Sequence, residues 1–259
     1  MKNLVAVIIP IYKEKLNHNE QTSLKQCLKV LSSYPIIFIS PENLDTSIYQ
    51  HHAKDKVKFE VVSFSNDYFK NIDGYNRLML STVFYKKFLA YKFILIHQLD
   101  AYVFKDELVY WCKQGYDFIG APHPPHENNK NEIQFLNGYS KIVSFINRLF
   151  NINHKISNVG NGGLSLRKTA TCYKLVKYFK RSVKNWGTNN EDGFFKYWAN
   201  ILYPVVKLPS DAVALRFSIE SEPSNSLNKL DNQLPFGCHA FEKYEPLTWK
   251  PFINEKISH

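Results

Sequence analysis

The chain has 259 residues, of which 44% are hydrophobic and 22% are charged, with 10 Gly and 12 Pro. A chain of this length buries a substantial core without extra cross-links, and its composition excludes collagen-like, low-complexity and wholly disordered proteins. The 33 Lys and Arg residues outnumber the 23 Asp and Glu residues, which gives a net charge of +10. The surface therefore favours anionic partners such as phosphates, anionic lipid or nucleic acid.

The cysteines and the N-terminal segment indicate a reducing, cytoplasmic compartment. The four cysteines lie far apart and form no CxxC pair, so neither a zinc ribbon nor a disulfide framework is predicted. The N-terminal apolar run is interrupted by Pro10 and followed by Lys13 and Glu14, which is typical of a buried first strand rather than a signal peptide. No apolar run approaches the roughly 18 residues of a membrane-spanning helix, so any membrane contact is expected to be peripheral.

The first half of the chain alternates apolar runs with segments of helical periodicity. Leu24, Cys27, Leu28 and Leu31 recur at the spacing that places them on one helix face. Alternating strands and helices predict an α/β fold with a mostly parallel, doubly wound sheet flanked by helices. The predicted strands are 4–12, 36–39, 57–64, 93–96 and 116–121, and the predicted helices are 20–33 and 74–89, the second capped by Asp73.

The second half is less regular. Residues 123–139 are rich in His, Pro, Asn and Gly and are predicted to form a long loop. Residues 140–150 have the pattern of a short basic amphipathic helix, which either packs on the core or contacts a membrane surface or lipid-linked acceptor. A Gly-rich turn and a strand precede helices predicted at 169–180 and 191–202, and an irregular tail follows.

A carboxylate follows the apolar strand in the segment KFILIHQLDAYVF, residues 92–104. Asp100 is thereby placed at the carboxyl end of a central strand, where open α/β sheets bind ligands. Hard divalent cations use one or two carboxylates together with substrate phosphates. Asp100 is therefore a candidate metal ligand, and the alternative is that it only caps the following turn.

Two further acidic residues begin a predicted helix in the segment TNNEDGFF, residues 188–195. Thr188 and Glu191 have the spacing of a capping box, which gives Glu191 a structural explanation. Asp192 has none, and the helix dipole favours its ionised form. An ionised carboxylate is the form that a general base requires, so Asp192 is a candidate base, although first-turn acids also occur for stability alone.

Glycines and basic residues follow one another in VGNGGLSLRK, residues 159–168. The glycines match neither the Rossmann nor the P-loop pattern, and they are expected to let the backbone approach a ligand closely. Arg167 and Lys168 are interpreted either as phosphate contacts or as solvated surface residues. Near the C-terminus, His239 is either a second metal ligand or a packed imidazole.

Seven segments in the same order resemble a bacterial glycosyltransferase-like family formerly of unknown function, which is similar to nucleotide-sugar-dependent transferases of the GT-A fold. The segments are VAVIIPIY, HQLDAYVF, DFIGAPH, VGNGGLSLR, NEDGFF, ALRFSIE and PFGCHAF. The resemblance implies a single GT-A-like domain over residues 1–259. Within it, 1–122 would be the nucleotide-sugar-binding half and 123–259 the acceptor-binding and catalytic half.

The resemblance also implies roles for individual residues. The D-x-D motif that binds a divalent metal and the donor diphosphate in such enzymes is represented here only by Gln98-Leu99-Asp100. Asp192 would be the general base, with Glu191 beside it in the catalytic site, and a divalent Mn²⁺ or Mg²⁺ ion would bind Asp100 and His239. The implied donor-binding residues are Pro10, Tyr12, Arg77, Gln98 and Asp100, and the implied sugar- or acceptor-binding residues are Asn161, Gly162, Gly163 and Ser165.

The implied activity is inverting transfer of a sugar from a nucleoside diphosphate donor, a UDP-sugar for preference, to a hydroxyl of a glycan or lipid-linked glycan in bacterial surface polysaccharide synthesis. The expected location is the cytoplasm, at the inner face of the membrane through 140–150, with no nucleic acid partner. One alternative is a sugar nucleotidyltransferase, although residues 11–15 lack the Gly that such enzymes carry after the first strand. Another is a non-catalytic basic protein that binds glycan or nucleic acid, which would not explain the positions of Asp100 and Asp192.

Overall fold

A six-stranded sheet forms the centre of the computed structural model, which describes residues 3–54, 56–123, 144–151, 157–187, 190–201 and 204–253. The strand order is β3-β2-β1-β4-β7-β6. All its strands run parallel except β7, which is antiparallel to both neighbours. The strands are β1 (Asn3–Pro10), β2 (Ile36–Pro41), β3 (Phe59–Phe64), β4 (Tyr91–His97), β6 (Phe118–Ile119) and β7 (Leu164–Lys168). The predicted mostly parallel α/β sheet is confirmed.

The central strands are apolar on both faces because a core lies on each side of the sheet. In β1, Val5 and Val7 belong to one buried cluster, whereas Ala6 and Ile8 belong to the other. Successive side chains of a strand point to opposite faces, so a strand covered on both sides is a continuous apolar run. This explains why the sequence pattern located these strands.

Helices cover both faces of the sheet, and one of the predicted helices is divided in two. The predicted helix 74–89 ends near residue 80, and Ser81 begins a second helix by accepting the Phe84 N–H through its side chain. Asn71, not the expected Asp73, caps the first. The helices are α1 (His18–Val30), α2 (Ser47–Ala53), α3 (Ile72–Met79), α4 (Thr82–Lys87), α5 (Leu108–Gln114), α6 (144–150), α7 (Thr169–Tyr178), α8 (Lys180–Trp186), α9 (Glu191–Asn200), α10 (Asp211–Phe217), α11 (Pro223–Asn228) and α12 (Pro246–Trp249).

The C-terminal segment is more ordered than the expected irregular tail. A second, three-stranded sheet has the order β5-β9-β8, in which β5 is Tyr102–Val103, β8 is Ser218–Ile219 and β9 is Gly237–Cys238. Two-residue strands are too short to show an alternating pattern, which is why the sequence did not predict them. This sheet brings the segment after β9 to the end of β4.

Helix α6 exposes its apolar residues. Phe145, Leu149 and Phe150 are 65%, 61% and 65% exposed, so the expectation that this helix packs on the core is wrong for these three side chains. Residues 140–143 of the predicted helix, and 124–139 of the predicted loop, lie outside the described residues. None of the helices in the described ranges is long and apolar enough to cross a membrane.

Candidate functional site

The ends of several strands meet at one edge of the large sheet. Strands β1, β4 and β6 finish there, and the antiparallel β7 begins there. Gln98 and Asp100 follow β4 directly, and the turn Asn161–Gly163 leads into β7. The topology therefore brings residues that are about 60 positions apart in the sequence to a single edge, which is where open α/β sheets bind ligands.

A cleft of about 440 Å³ lies beside this edge. Asp100 and Gln98 form one side of it, and the segment after β1 forms another. Of the predicted donor-binding residues, Arg77 is outside the cleft, where it is exposed and its Nη2 lies 3.4 Å from the Asp67 carbonyl oxygen. The cleft is lined by Pro10, Tyr12, Lys13, Asn17, Glu20, Phe69, Lys70, Asn71, Ile72, Tyr75, Gln98, Leu99, Asp100 and Glu242.

His239, which follows β9, lies between two carboxylates. Its Nε2 is 3.1 Å from Asp100 Oδ1 and its Nδ1 is 3.0 Å from Glu220 Oε1. Nε2 is also 3.3 Å from Gln98 Oε1. The imidazole packs directly on Gly163, where a Cβ atom would collide with the ring. The glycine thus lets the backbone approach a side chain of the site, and its expected close approach to a ligand stays a prediction.

Asn161 connects the His239 cluster to Asp192. Its backbone N–H donates to Asp192 Oδ2 at 2.5 Å, and its Nδ2 lies 2.8 Å from His239 Nδ1 beside the Glu220 carboxylate, to which the Asn161 side chain also hydrogen-bonds. Asn161 has a φ of 64°, in the left-handed region that is uncommon for a residue with a side chain. Its Oδ1 supports this turn by accepting the Gly163 N–H at 2.9 Å. Asp100 and Asp192, 92 positions apart in the sequence, therefore belong to one continuous cluster.

The Asp192 carboxylate is buried and ionised. Burial raises its pKa, but hydrogen bonds with His123 and from the backbone N–H groups of Asn161 and Gly193 lower it to about 2. The Gly193 N–H donates to Oδ1 at 2.9 Å, and His123 Nε2 lies 3.3 Å from Oδ2. Asp192 therefore carries its negative charge throughout the neutral pH range.

Glu191, the neighbour of Asp192, forms a buried ion pair. Its Oε1 accepts a hydrogen bond from Arg167 Nη2 at 2.7 Å, and the side chains are 4% and 0% exposed. The expectation that Arg167 contacts phosphate or solvent is therefore wrong, because the guanidinium is sealed inside the protein. The predicted capping box is also absent from the described residues: Asn190 is the N-cap of α9, Glu191 is the first helical residue, and Thr188 lies outside them.

A family model matches most of this chain. The model is described as "Protein of unknown function (DUF5672)" and covers residues 58–239. The chain belongs to the DUF5672 family. The match includes Asp100, Asn161, Asp192 and His239, so both ends of the cluster lie within the family's common region. No curated protein sequence matches the chain.

Three solved structures that resemble this DUF5672 member are described as glycosyltransferases. Mouse xyloside xylosyltransferase 1, in its apo form, has a TM-score of 0.56 and 11% identity over 91% of this chain and 96% of its own. The apo form of the glycosyltransferase GlyE of Streptococcus pneumoniae TIGR4 has a TM-score of 0.52 and 9% identity over 98% of this chain and 61% of its own. The bifunctional glycosyltransferase WbbM in its apo structure has a TM-score of 0.50 and 10% identity over 95% of this chain and 47% of its own. These likenesses, together with the sheet order, show that the chain has a GT-A-like fold.

The sequence did not point to Glu220 or His123 as members of the cluster. Glu220 follows β8, a strand too short to predict, and His123 stands at the start of the predicted long loop 123–139. Both belong to segments, ALRFSIE and DFIGAPH, that contributed to the resemblance. A polar residue directly after each of these short apolar runs was the available signal, because strand ends collect at ligand-binding edges.

The side chains expected to bind a divalent cation, Asp100 and His239, lie next to each other in this family member. Asp100 Oδ1 and Gln98 Oε1 lie 3.1 and 3.3 Å from His239 Nε2, so one carboxylate, one amide oxygen and one imidazole are grouped here. Mn²⁺ accepts oxygen and imidazole ligands, and phosphate oxygens complete such sites. No group of three or more His, Cys, Asp or Glu side chains suited to a metal occurs among the described residues, so substrate oxygens would have to supply the remaining ligands.

The two carboxylates hold His239 in its protonated form when no cation is bound. Burial lowers the pKa of His239, but the hydrogen bonds with Asp100 and Glu220 raise it to about 10. Burial likewise raises the pKa of each carboxyl group, and the His239 hydrogen bond brings both below their usual range. A cation at Nε2 would have to displace a proton, so its affinity should increase with pH.

We expect the stability of the metal-free protein to fall as the pH rises from about 7 to 10. The imidazole has a pKa near 6.5 in the unfolded chain and about 10 in the folded protein. The stabilisation that its charge provides is therefore complete below about pH 6.5 and is lost as the pH rises to about 10. Between these values His239 contributes a slope of about −1.4 kcal/mol per pH unit. Urea unfolding in EDTA at several pH values measures it. The His239→Gln variant should lack this slope, and equal slopes in both proteins would contradict the assignment.

Proposed function

We propose that this DUF5672 protein is a glycosyltransferase that moves a sugar from a nucleoside diphosphate donor to a hydroxyl group of an acceptor. The observation that carries the proposal is the convergence of Asp100 and Asp192 on one cluster at the ligand-binding edge of a GT-A-like sheet. The Asp100 carboxylate faces a cleft, and Asp192 lies in the first turn of α9, on the far side of Asn161. Transfer needs these two functions, a diphosphate site and a site for proton removal, next to each other.

The cleft suits the nucleotide part of the donor. Tyr12 and Tyr75 offer aromatic surface, and Lys13 and Lys70 lie at its walls, where they pair with Glu20 and Asp67 and a phosphate would have to displace these carboxylates. Aromatic rings stack on nucleobases and ammonium groups attract phosphates. A cation held by Asp100 and His239 would neutralise charge on the leaving diphosphate. The UDP-sugar preference rests on the family resemblance and is part of the proposal.

The reaction requires a proton acceptor at the Asp192 end of the cluster. The acceptor oxygen forms a bond to the anomeric carbon while the bond from that carbon to the diphosphate oxygen breaks. The nucleoside diphosphate leaves with the bonding electron pair, and the hydroxyl proton passes to the protein. Attack from the face opposite the diphosphate inverts the anomeric configuration. The ionised Asp192 supplies the negative charge that stabilises the proton where it arrives.

The acceptor side is proposed to be a glycan or lipid-linked glycan of the bacterial surface. The exposed Phe145, Leu149 and Phe150 of α6 suit insertion into the boundary of a lipid layer, and the net charge of +10 favours an anionic membrane. The enzyme would then work in the cytoplasm at the inner face of the membrane. The exposed apolar side chains and the net charge support the proposed acceptor and location, whereas Asp100 and Asp192 support the proposed reaction.

The test of the donor site is binding of nucleotide sugars with and without Mn²⁺. We expect UDP-glucose, UDP-galactose, UDP-N-acetylglucosamine or GDP-mannose to raise the melting temperature in Mn²⁺ and less in EDTA, because a ligand of the native state stabilises it. In the Asp100→Ala variant, loss of a charged contact worth about 1.5–3 kcal/mol should weaken donor binding about 10- to 100-fold. Isothermal titration calorimetry measures that change.

The matched control is Glu107→Ala, which removes a carboxylate that lies outside the cleft and pairs with Lys105. This variant should bind the donor like the wild type. Failure of every nucleotide sugar to bind, or equal donor affinity in the wild type and Asp100→Ala, would contradict the proposed function. Transfer itself is then measured by release of nucleoside diphosphate with bacterial lipid-linked glycans as acceptors.

A further inference from the structure

His123 is held firmly beside Asp192 at the end of β6. Its backbone N–H donates to the Asn158 carbonyl at 2.9 Å, and Pro122 pairs with Val159 in an antiparallel bridge. Its ring passes so close to Gly160 that a Cβ atom there would collide with Nε2. The backbone therefore fixes the imidazole with its Nε2 3.3 Å from Asp192 Oδ2.

The two partners differ in what they can reach. The Asp192 side chain is 9% exposed, whereas the His123 side chain is 26% exposed. Both Asp192 oxygens already accept backbone N–H groups, Oδ2 from Asn161 and Oδ1 from Gly193. Together with His123, these donors take three of the about four acceptor sites of the carboxylate, and burial restricts access to the remaining one. The imidazole is the part of the pair that a substrate meets first.

The structure assigns the proton transfer to the pair as a unit: His123 takes the proton of the acceptor hydroxyl, and Asp192 orients the imidazole and stabilises its charged form. This inference rests on the proposed function. In the tautomer with hydrogen on Nε2, that N–H donates to Asp192 and Nδ1 accepts the hydroxyl proton. The acceptor oxygen bonds to the anomeric carbon, the diphosphate leaves with the electron pair of the broken bond, and the product of the proton step is an imidazolium beside a carboxylate.

The charges around His123 agree with this division of roles. Burial lowers the pKa of His123, the hydrogen bond and charge of Asp192 raise it, Lys196 lowers it and Glu220 raises it, with a net increase above the usual value. A base works best when its pKa lies near the working pH. The carboxyl group of Asp192, with a pKa of about 2, would hold the proton far more weakly than this imidazole.

The first test measures the pairing without any substrate. The ring resonances of ¹³C-labelled histidines are titrated by NMR, with His123 assigned from the spectrum of His123→Gln. We expect the pKa of His123 to lie above 6.5 in the wild type and to fall in Asp192→Asn, because the partner's charge is removed. The same pKa in both proteins would overturn the pairing, whether or not the protein transfers sugar.

The second test measures the base. His123→Gln keeps a donor for Asp192 but cannot take the proton, so we expect transfer to slow by about 10²- to 10⁴-fold with donor affinity unchanged. In the wild type, kcat/KM should rise with pH through the pKa of His123, and in His123→Gln this rise should vanish. Added imidazole should restore part of the rate to His123→Ala, which a structural role would not allow.

The outcomes separate this inference from the proposed function. His51→Ala, which removes an exposed histidine far from the cluster in sequence, should keep the wild-type rate and pH profile. A wild-type enzyme that transfers sugar, together with His123→Gln at full kcat or with an unchanged pH profile, would overturn the inference alone. A wild-type protein that binds nucleotide sugar but transfers it to no acceptor would contradict the proposed function instead.

Discussion

Replacing Asp192 by Asn should lower the rate of sugar transfer by about 10²- to 10⁴-fold and leave donor affinity nearly unchanged. The change keeps the shape of the side chain but removes the charge that stabilises the transferred proton. Donor affinity should persist because Asp100 lies at the other end of the cluster, connected through His239 and Asn161. Single-turnover kinetics measure the rate, and isothermal titration calorimetry measures the affinity for the donor.

The amide introduced by Asp192→Asn also changes the local hydrogen bonds. The resulting loss of stability has to be measured separately from the loss of rate. The two Asp192 oxygens accept the N–H groups of Asn161 and Gly193, whereas an Asn side chain has only one oxygen. One buried N–H thus loses its acceptor, at a cost of about 1–3 kcal/mol. Urea unfolding of the variant measures this loss, and rates are compared at temperatures where both proteins are fully folded.

The matched control for Asp192→Asn is Asp117→Asn. Asp117 also accepts a backbone N–H, from Lys207 at 2.9 Å, together with the Thr171 hydroxyl at 2.8 Å. It immediately precedes β6 and therefore lies at the opposite edge of the sheet from the candidate site. Asp117→Asn should lose stability but keep kcat. Wild-type turnover by Asp192→Asn would remove Asp192 from the reaction.

The sequence predicted the sheet well because its strands are buried on both faces. Short apolar runs rich in β-branched residues, such as VAVIIP, are typical of buried strands. The helical spacing from Leu24 to Leu31 corresponds to residues that are all buried in α1 or at its end. The division of 74–89 was not predicted, because apolar residues continue across the junction and only the Ser81 side chain marks the new N-terminus. A single capping residue is a weaker sequence signal than a hydrophobic spacing that repeats along a helix.

The site was predictable only where one residue follows directly from its own element. Asp100 follows a long apolar strand and Asp192 lies in the first turn of a helix, as the local pattern predicted. Glu220 contacts His239, 19 positions away, and His123 contacts Asp192, 69 positions away. Contacts at such sequence separations cannot be predicted from a local pattern. The burial of Arg167 does have a sequence signal. It stands within an apolar strand, where its side chain alternates to a buried face, and a buried guanidinium requires a buried acid.

That acid is Glu191, and the pair has a role beyond its own stability. Arg167 belongs to β7 and Glu191 to the first turn of α9, so the ion pair connects the sheet to the helix that carries Asp192. The guanidinium also donates to the Ser165 hydroxyl at 3.0 Å and to the Tyr85 hydroxyl at 3.1 Å. Loss of the pair should therefore disturb both the fold and the position of the neighbouring Asp192.

We expect Glu191→Ala to lower the free energy of unfolding by about 3–5 kcal/mol, because it leaves the fully buried Arg167 without its counter-ion. The double variant Arg167→Met/Glu191→Leu should recover most of this loss, since apolar residues of similar size often replace a buried ion pair without cost. Urea unfolding of both single variants and the double variant gives the coupling energy.

Lys105→Ala, which breaks an exposed ion pair with Glu107, should leave the denaturation midpoint unchanged. If Glu191→Ala were as stable as the wild type, Arg167 would be held by Ser165, Tyr85 and the rings of Phe118 and Phe195, and Glu191 would be released for a role at the site.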